Sequence, residues 1–176
     1  MTSEQATFLL EHVYLPQLKH ESQTTRRVIA AVPADKCGYK PDPKCMGALE
    51  LAWHIASADC FFMNGVAAGE FKRAEGGSGV PENIKCPTDV LTWYDENFAK
   101  ASAAVAAMSG DKLAANISFF GMFDFPAIEY LSLSLRHGVH HRGQLSAYLR
   151  PMGAKVPGIY GPSGDEPVKA PASAQA

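Results

Sequence analysis

The sequence of 176 residues contains no run of charge of one sign and no apolar run long enough to cross a membrane. Its 16 basic and 18 acidic residues leave a net charge of -2, which disfavours nucleic acid and anionic membranes as partners. No apolar stretch approaches the roughly 18 residues of a membrane span, and the first residues lack the basic start and apolar run of a signal peptide. We therefore expect a cytoplasmic protein that acts on a small molecule.

Paired cysteines are absent as well. The four cysteines form no Cys-x-x-Cys motif, and a chain of this length can bury a core without disulfides, so we expect four free thiols. Cys60 lies six residues after His54, close to the opposite side of a helix, and we therefore exclude it as a partner of that histidine.

Apolar residues recur at helical spacing in four long stretches. The first begins with a capping box at Thr2 and ends near Pro33, with Pro16 as a bend or local break. The second runs from about 46 to 65, the third from an N-cap at Thr88 to Gly110, and the fourth from Pro126 to about Met152.

No pair of strands is convincing, and the alternating stretch 131–135 is read as helix because the element around it is long. The pattern predicts an all-α protein, a four-helix bundle with long loops between helices that leave room for a crossover connection. Residues 1–165 are expected to form one domain. Prolines exclude further helix after the fourth helical stretch. Residues 166–176 are expected to be a disordered tail.

Histidines are the candidate site. His137 and His141 are four residues apart, so on a helix they lie one above the other and can face one ion. His54 lies in an apolar helix, where a neutral, metal-bound imidazole is favoured over a charged one. Together the three histidines predict an open metal site.

Several neighbours leave the assignment open. The spacing permits His140 as a ligand in place of His141. Tyr130 and Gln144 share the inward stripe of His141, which favours His141 and leaves His140 as a surface group or a neighbour of the ligands. Tyr130 and Gln144 are candidate residues of the pocket, and no catalytic residue is assigned.

The stretch HGVHHRGQLSAYLRPMGAKVPGIYGP, from His137 to Pro162, resembles the C-terminal signature of the DinB family of metalloenzymes, and LAWHIA around His54 resembles its N-terminal ligand helix. The resemblance implies a four-helix bundle, a metal held by His54, His137 and His141, and a homodimer. It also implies chemistry of the kinds found among relatives, which include thiol-dependent transferases, a thiol-dependent isomerase and metal-dependent hydrolases.

Three imidazoles leave a divalent ion with open coordination positions, as in catalytic sites, and suit zinc, nickel or iron(II). Hydrolysis usually needs a general base, and the sequence has no His-Glu-x-x-His motif, while Glu50 and Glu129 are more simply solvated. We therefore expect activation of a low-molecular-weight thiol. A metal-dependent hydrolase and a non-catalytic metal-binding or interaction bundle are the alternatives. Trp53, Phe61 and Phe62 offer apolar surface for a dimer.

Overall fold

The chain begins with one long helical segment that is widened in the middle. A computed structural model describes residues 1–73 and 79–168. Helix α1 (Ser3–Leu9) starts with the capping box predicted at Thr2, in which the Thr2 hydroxyl accepts from the Gln5 N–H and the Gln5 side chain accepts in return. A π-helical turn (Leu10–Tyr14) leads into α2 (Leu15–Ala30). The break expected at Pro16 is thus a wider turn just before it, which relieves the crowding of the proline ring against the preceding backbone.

Three further long helices complete the bundle: α3 (Ala48–Ala68), α4 (Pro87–Ala106) and α6 (Glu129–Leu149). Helix α3 packs against α4 and α6, and α2 packs against the same two helices, so the order around the bundle is α2, α6, α3, α4. The core lies between them and is mainly aliphatic with two fully buried tyrosines, Tyr94 and Tyr130. The predicted four-helix bundle is confirmed. No helix in the described ranges is long and apolar enough to cross a membrane.

Helix α4 starts two residues earlier than predicted, because its cap is Cys86 and not Thr88. Pro87 occupies the first turn, where its missing N–H costs nothing, and the carboxylate of Asp89 accepts from the N–H groups of Lys85 and Cys86. The side chain of Asp89 therefore closes the cap.

Gly110 does not close α4, which ends at Ala106, but begins the short helix α5 (Gly110–Ala114). The Ser109 side chain caps this helix by accepting from the Lys112 N–H. A Cβ at Gly110 would lie 2.4 Å from the Ser3 carbonyl oxygen, so glycine is required for the close approach of α5 to α1.

An antiparallel hairpin that the sequence analysis missed precedes α6. Strands β1 (Asn116–Phe119) and β2 (Phe123–Pro126) pair with Asn116 opposite Pro126, so Pro126 ends a strand and α6 begins three residues after it. The strands are short and rich in aromatic residues. The alternation of apolar and polar residues within them is therefore too brief to recognise in the sequence. The stretch 131–135 is helical, as predicted.

The hairpin turn is conformationally costly. Phe120 and Gly121 both have positive φ angles, 55° and 74°, and the Met122 N–H donates to the Phe119 carbonyl. Two successive residues in this region define the type I′ turn, which normally takes asparagine or aspartate followed by glycine. A bulky residue in the left-handed region costs about 1–2 kcal/mol.

The segment after α6 returns along the bundle to α2. Glu166 accepts from the Arg27 guanidinium and from the Gly158 N–H, and Asp165 pairs with Arg150. A disordered tail is expected over residues 166–176. The part of this range from residue 169 onwards lies outside the described residues.

Candidate metal centre

Helices α3 and α6 bring His54, His137 and His141 together. One ring nitrogen from each lies within 4.8 Å of the others, and the Nε2 atoms of His54 and His137 are 3.1 Å apart. Two nitrogens bound to one zinc at roughly 2.0–2.1 Å are about 3.3 Å apart across a tetrahedral angle. The spacing of these donors therefore fits a shared divalent ion.

Gln144 orients one of the three rings. Its Oε1 lies 2.7 Å from His141 Nδ1, and because an amide oxygen can only accept, that nitrogen carries the proton. The lone pair of His141 is then on Nε2, the nitrogen left free for a metal. Outer hydrogen bonds of this kind are a regular feature of metal-binding histidines.

The pKa values of all three imidazoles are lowered, which favours their neutral forms. Burial is the first cause in each case and lowers the pKa of His54, of His141 and, to about 4, of His137. The rings of His141 and His54 add to the lowered pKa of His137, because a charge on one ring opposes a charge on the next. His137 Nδ1 is buried with no hydrogen-bond partner among the described residues. Neutral, half-buried nitrogens are good metal donors.

Two other candidates take different positions. The His140 ring is exposed and packs edge-on against His141, with centroids 4.7 Å apart, outside the three-nitrogen cluster. The Tyr130 hydroxyl is buried and donates to the Ile117 carbonyl at 2.8 Å. Tyr130, a candidate pocket residue from the sequence, uses its hydroxyl to anchor the hairpin to α6.

The four cysteines are free thiols. Burial raises the pKa of the Cys60 thiol to about 12, which keeps it protonated and fits its exclusion as a ligand.

A second polar cluster was missed from the sequence. Arg142, 1% exposed, pairs with Glu21 and donates to Thr25 Oγ1 and the Tyr160 hydroxyl, at 3.1 and 2.5 Å. The signal was available, because Gly138, Arg142, Leu145 and Leu149 form one helical stripe that is buried along its length.

Nearby on α3, Asp59 is buried and accepts a hydrogen bond from the Tyr94 hydroxyl at 2.6 Å. Burial raises the pKa of Asp59 to about 6. A Cβ at Gly138 would lie 3.1 Å from Asp59 Oδ1, so the small residue on α6 makes room for this carboxyl group.

The apolar side chains expected to form a dimer surface are largely used within the chain. Trp53 packs against Trp93 with ring centroids 4.6 Å apart, and Phe62 packs against His137 at 5.7 Å. Both Trp53 and Phe62 are buried, while Phe61 is half-buried. These residues therefore give little support to the predicted homodimer.

Comparisons with known proteins agree with this architecture. The model of the DinB family matches residues 3–170. An uncharacterised Bacillus subtilis protein, YrdA, is 24% identical over 157 residues, which cover 89% of this chain and 91% of YrdA. A DinB-like protein of Bacillus cereus superposes with a TM-score of 0.70 at 21% identity, covering 84% of this chain and 95% of the other.

A more distant fold neighbour is a mycothiol-dependent maleylpyruvate isomerase. It superposes with a TM-score of 0.56 at 16% sequence identity. The match covers 90% of this chain and 64% of the isomerase. At this identity the likeness establishes a shared fold.

Proposed function

The chain belongs to the DinB family, and from that membership and its three-histidine site we propose that it is a metal-dependent transferase that activates a low-molecular-weight thiol for attack on a small electrophile. The observation that carries the proposal is the convergence of three neutral imidazoles at the surface of the bundle, with His54 Nε2 and His137 Nε2 3.1 Å apart. Zinc or nickel is the expected ion, and iron(II) also suits the donors.

A divalent ion held by three neutral nitrogens keeps its full charge and open coordination positions, and so promotes deprotonation of a thiol at neutral pH. The chain contributes the donors and their orientation. His54 and His137 direct Nε2 into the cluster, and Gln144 fixes the tautomer of His141. In the overall reaction the thiol loses its proton to solvent, sulfur forms a bond to the electrophilic carbon, and the leaving group departs with the electron pair of the broken bond.

The nearest glutamate on α3 is engaged elsewhere. Glu50, one turn before His54, accepts a hydrogen bond from the Gly47 N–H at 3.1 Å and caps the start of α3. Attack by water usually needs a free general base, whereas a thiol is acidic enough for the metal alone to ionise it. This engagement, and the fold neighbour named as mycothiol-dependent, support thiol transfer over hydrolysis.

The test is a conjugation assay on protein loaded with zinc or nickel. Cysteine, glutathione and mycothiol are each supplied with 1-chloro-2,4-dinitrobenzene, and the thioether is followed by absorbance. We expect conjugation above the uncatalysed rate with at least one thiol, lost in His137→Ala and retained in His140→Ala. Hydrolysis of p-nitrophenyl acetate that needs no thiol would support the hydrolase instead. Metal binding with neither activity would support the non-catalytic bundle.

We also propose a homodimer, on the family resemblance. Light scattering coupled to size-exclusion chromatography tests it, with a mass of twice the 18.9 kDa of the chain as the expected result and 18.9 kDa as the contrary one.

A further inference from the structure

A stripe of α3 leads away from the histidines along the surface of the protein. Phe61 follows His54 by seven residues, so it lies two turns further on the same face, about 10 Å along the helix. Between them this face carries Ser57 and Ala58, both partly exposed. These small side chains mark the path along α3 from the histidines to Phe61.

An aromatic cluster stands at the end of this path. Phe62 connects it to the site through its contact with His137, at a centroid distance of 5.7 Å. The rings of Phe61 and Phe120 are nearly parallel, with a 12° angle between planes and 6.4 Å between centroids. Phe61 and Phe120 are both half-buried, so each retains surface for another molecule.

The conformation of Phe120 is an independent sign of a role beyond packing. It occupies a left-handed position, φ 55°, in a turn where asparagine would fit without strain. The Arg73 guanidinium lies 5.5 Å from the ring centroid and helps to hold it in place. Strained residues of this kind concentrate at ligand-binding sites, where the strain is offset by the surrounding structure.

We infer that Phe61 and Phe120 form an apolar wall that binds the body of the electrophile, an inference that rests on the proposed function. The site then favours electrophiles with an aromatic or alkyl group about 10 Å from the reacting atom, the length of two helical turns. Phe61 and Phe120 are specificity-determining residues in this account and take no part in the bond changes.

Binding of two metal-directed probes separates this wall from the metal. Acetohydroxamate has only the chelating group, whereas 4-phenylbutanehydroxamate adds a phenyl ring on a flexible chain. On zinc-loaded protein we expect the longer probe to bind at least about tenfold more tightly, as burial of an aromatic ring implies. Phe120→Asn and Phe61→Ala are each expected to remove most of this gain without changing the affinity for acetohydroxamate.

Phe125→Asn is the matched control. Phe125 lies in the same hairpin, but its ring packs on Phe123 and Tyr130 and is 47% exposed, so this variant should keep the full gain. Asparagine suits the turn position of Phe120, so that variant should also fold. An equal gain in affinity for the longer probe in wild type, Phe120→Asn and Phe61→Ala would contradict the proposed wall. So would wild-type protein that binds acetohydroxamate but shows no such gain. Failure of zinc-loaded protein to bind either probe would count against the proposed function first, and the wall would fall with it.

Discussion

Two polar clusters lie on different sides of α6, and they are built on opposite principles. The histidine cluster consists of His54, His137 and His141. The arginine cluster consists of Glu21, Thr25, Asp59, Tyr94, Arg142 and Tyr160. The first gathers three groups that repel one another's charge, whereas the second pairs its charges and hydrogen bonds within the chain.

The arginine cluster is nearly complete by itself. Glu21 neutralises Arg142, and Tyr94 donates to Asp59. Among the described residues Arg142 Nε alone of its guanidinium lacks a partner, and the Arg142 side chain lines a cavity of about 10 Å³, room for about one water. In the histidine cluster, by contrast, one ring nitrogen from each histidine lies within 4.8 Å of the others, and the lowered pKa values favour the neutral rings, whose lone pairs are available. The arginine cluster therefore serves the fold, whereas the arrangement of the histidine cluster supports the proposed metal site.

The largest effect is expected from a substitution that breaks the arginine cluster. Arg142→Met removes a buried charge and leaves Glu21, 21% exposed, without its partner, so we expect a loss of about 3 kcal/mol in the free energy of unfolding. Arg150→Met, at the end of the same helix, breaks the surface pair with Asp165 and should cost far less. Urea denaturation measures both, and equal losses would contradict the structural role given to Arg142.

Breaking the histidine cluster should affect binding and spare the fold. His137→Ala removes a metal donor, and we expect more than about a hundredfold loss of zinc affinity, since loss of an outer hydrogen bond alone costs 10–100-fold. The free energy of unfolding of the metal-free protein should change little, because the core is formed by other residues. His140→Ala is the control, with less than about a twofold change in affinity. Comparable losses in the two variants, measured by competition with a chromophoric chelator, would overturn the ligand assignment.

Gln144 offers a finer test within the histidine cluster. Gln144→Ala removes the acceptor that fixes the His141 tautomer, and zinc affinity should fall by about 10–100-fold. Gln144→Glu keeps an acceptor at the same position and should retain most of the affinity. Isothermal titration with zinc distinguishes them, and an alanine variant that binds as wild type does would show that the hydrogen bond is dispensable.

The two clusters should also respond to pH with opposite sign in metal-free protein. The pKa of His137 falls from 6.5 to about 4 on folding, so the unfolded chain binds more protons between these values, and stability is lost as the pH falls through this window. The pKa of Asp59 rises from 3.8 to about 6, so its contribution is present below pH 3.8 and is lost as the pH rises towards 6.

Each group changes the free energy of unfolding by at most about 1.4 kcal/mol per pH unit. Urea denaturation in the presence of a chelator, from pH 4 to 7, measures the free energy of unfolding. Relative to wild type, this free energy should increase for His137→Ala as the pH falls. For Asp59→Asn it should increase relative to wild type as the pH rises. Curves that stay parallel to wild type would mean that neither group titrates differently in the folded state.

The sequence predicted the bundle and the convergence of the histidines because both depend on local periodicity. His137 and His141 share a face through helical spacing alone, and His54 lies on an apolar helix that had to pack nearby. The assignment of these residues as ligands stays a prediction. The geometry supports it through the spacing of the ring nitrogens and the tautomer of His141.

What the sequence analysis missed depends on contacts between distant segments. The hairpin before α6 is two short strands whose pairing is held partly by Tyr130, and no alternation in so few residues separates them from a loop. The sequence assigns no role to Arg142, because its partner Glu21 lies on the first long helical segment and its other partner, Tyr160, comes after α6. The helical stripe that contains Arg142 indicates its burial, but the identity of a partner across the bundle leaves no periodic signal in the sequence.

Metal content tests the central claim most directly. Elemental analysis of untagged protein, purified without added metal or chelator, should find about one zinc, nickel or iron per chain in wild type and in His140→Ala, and almost none in His137→Ala. Metal-free wild-type protein that also fails to bind added zinc, nickel or iron(II) would contradict the account of the histidine cluster as a ligand site.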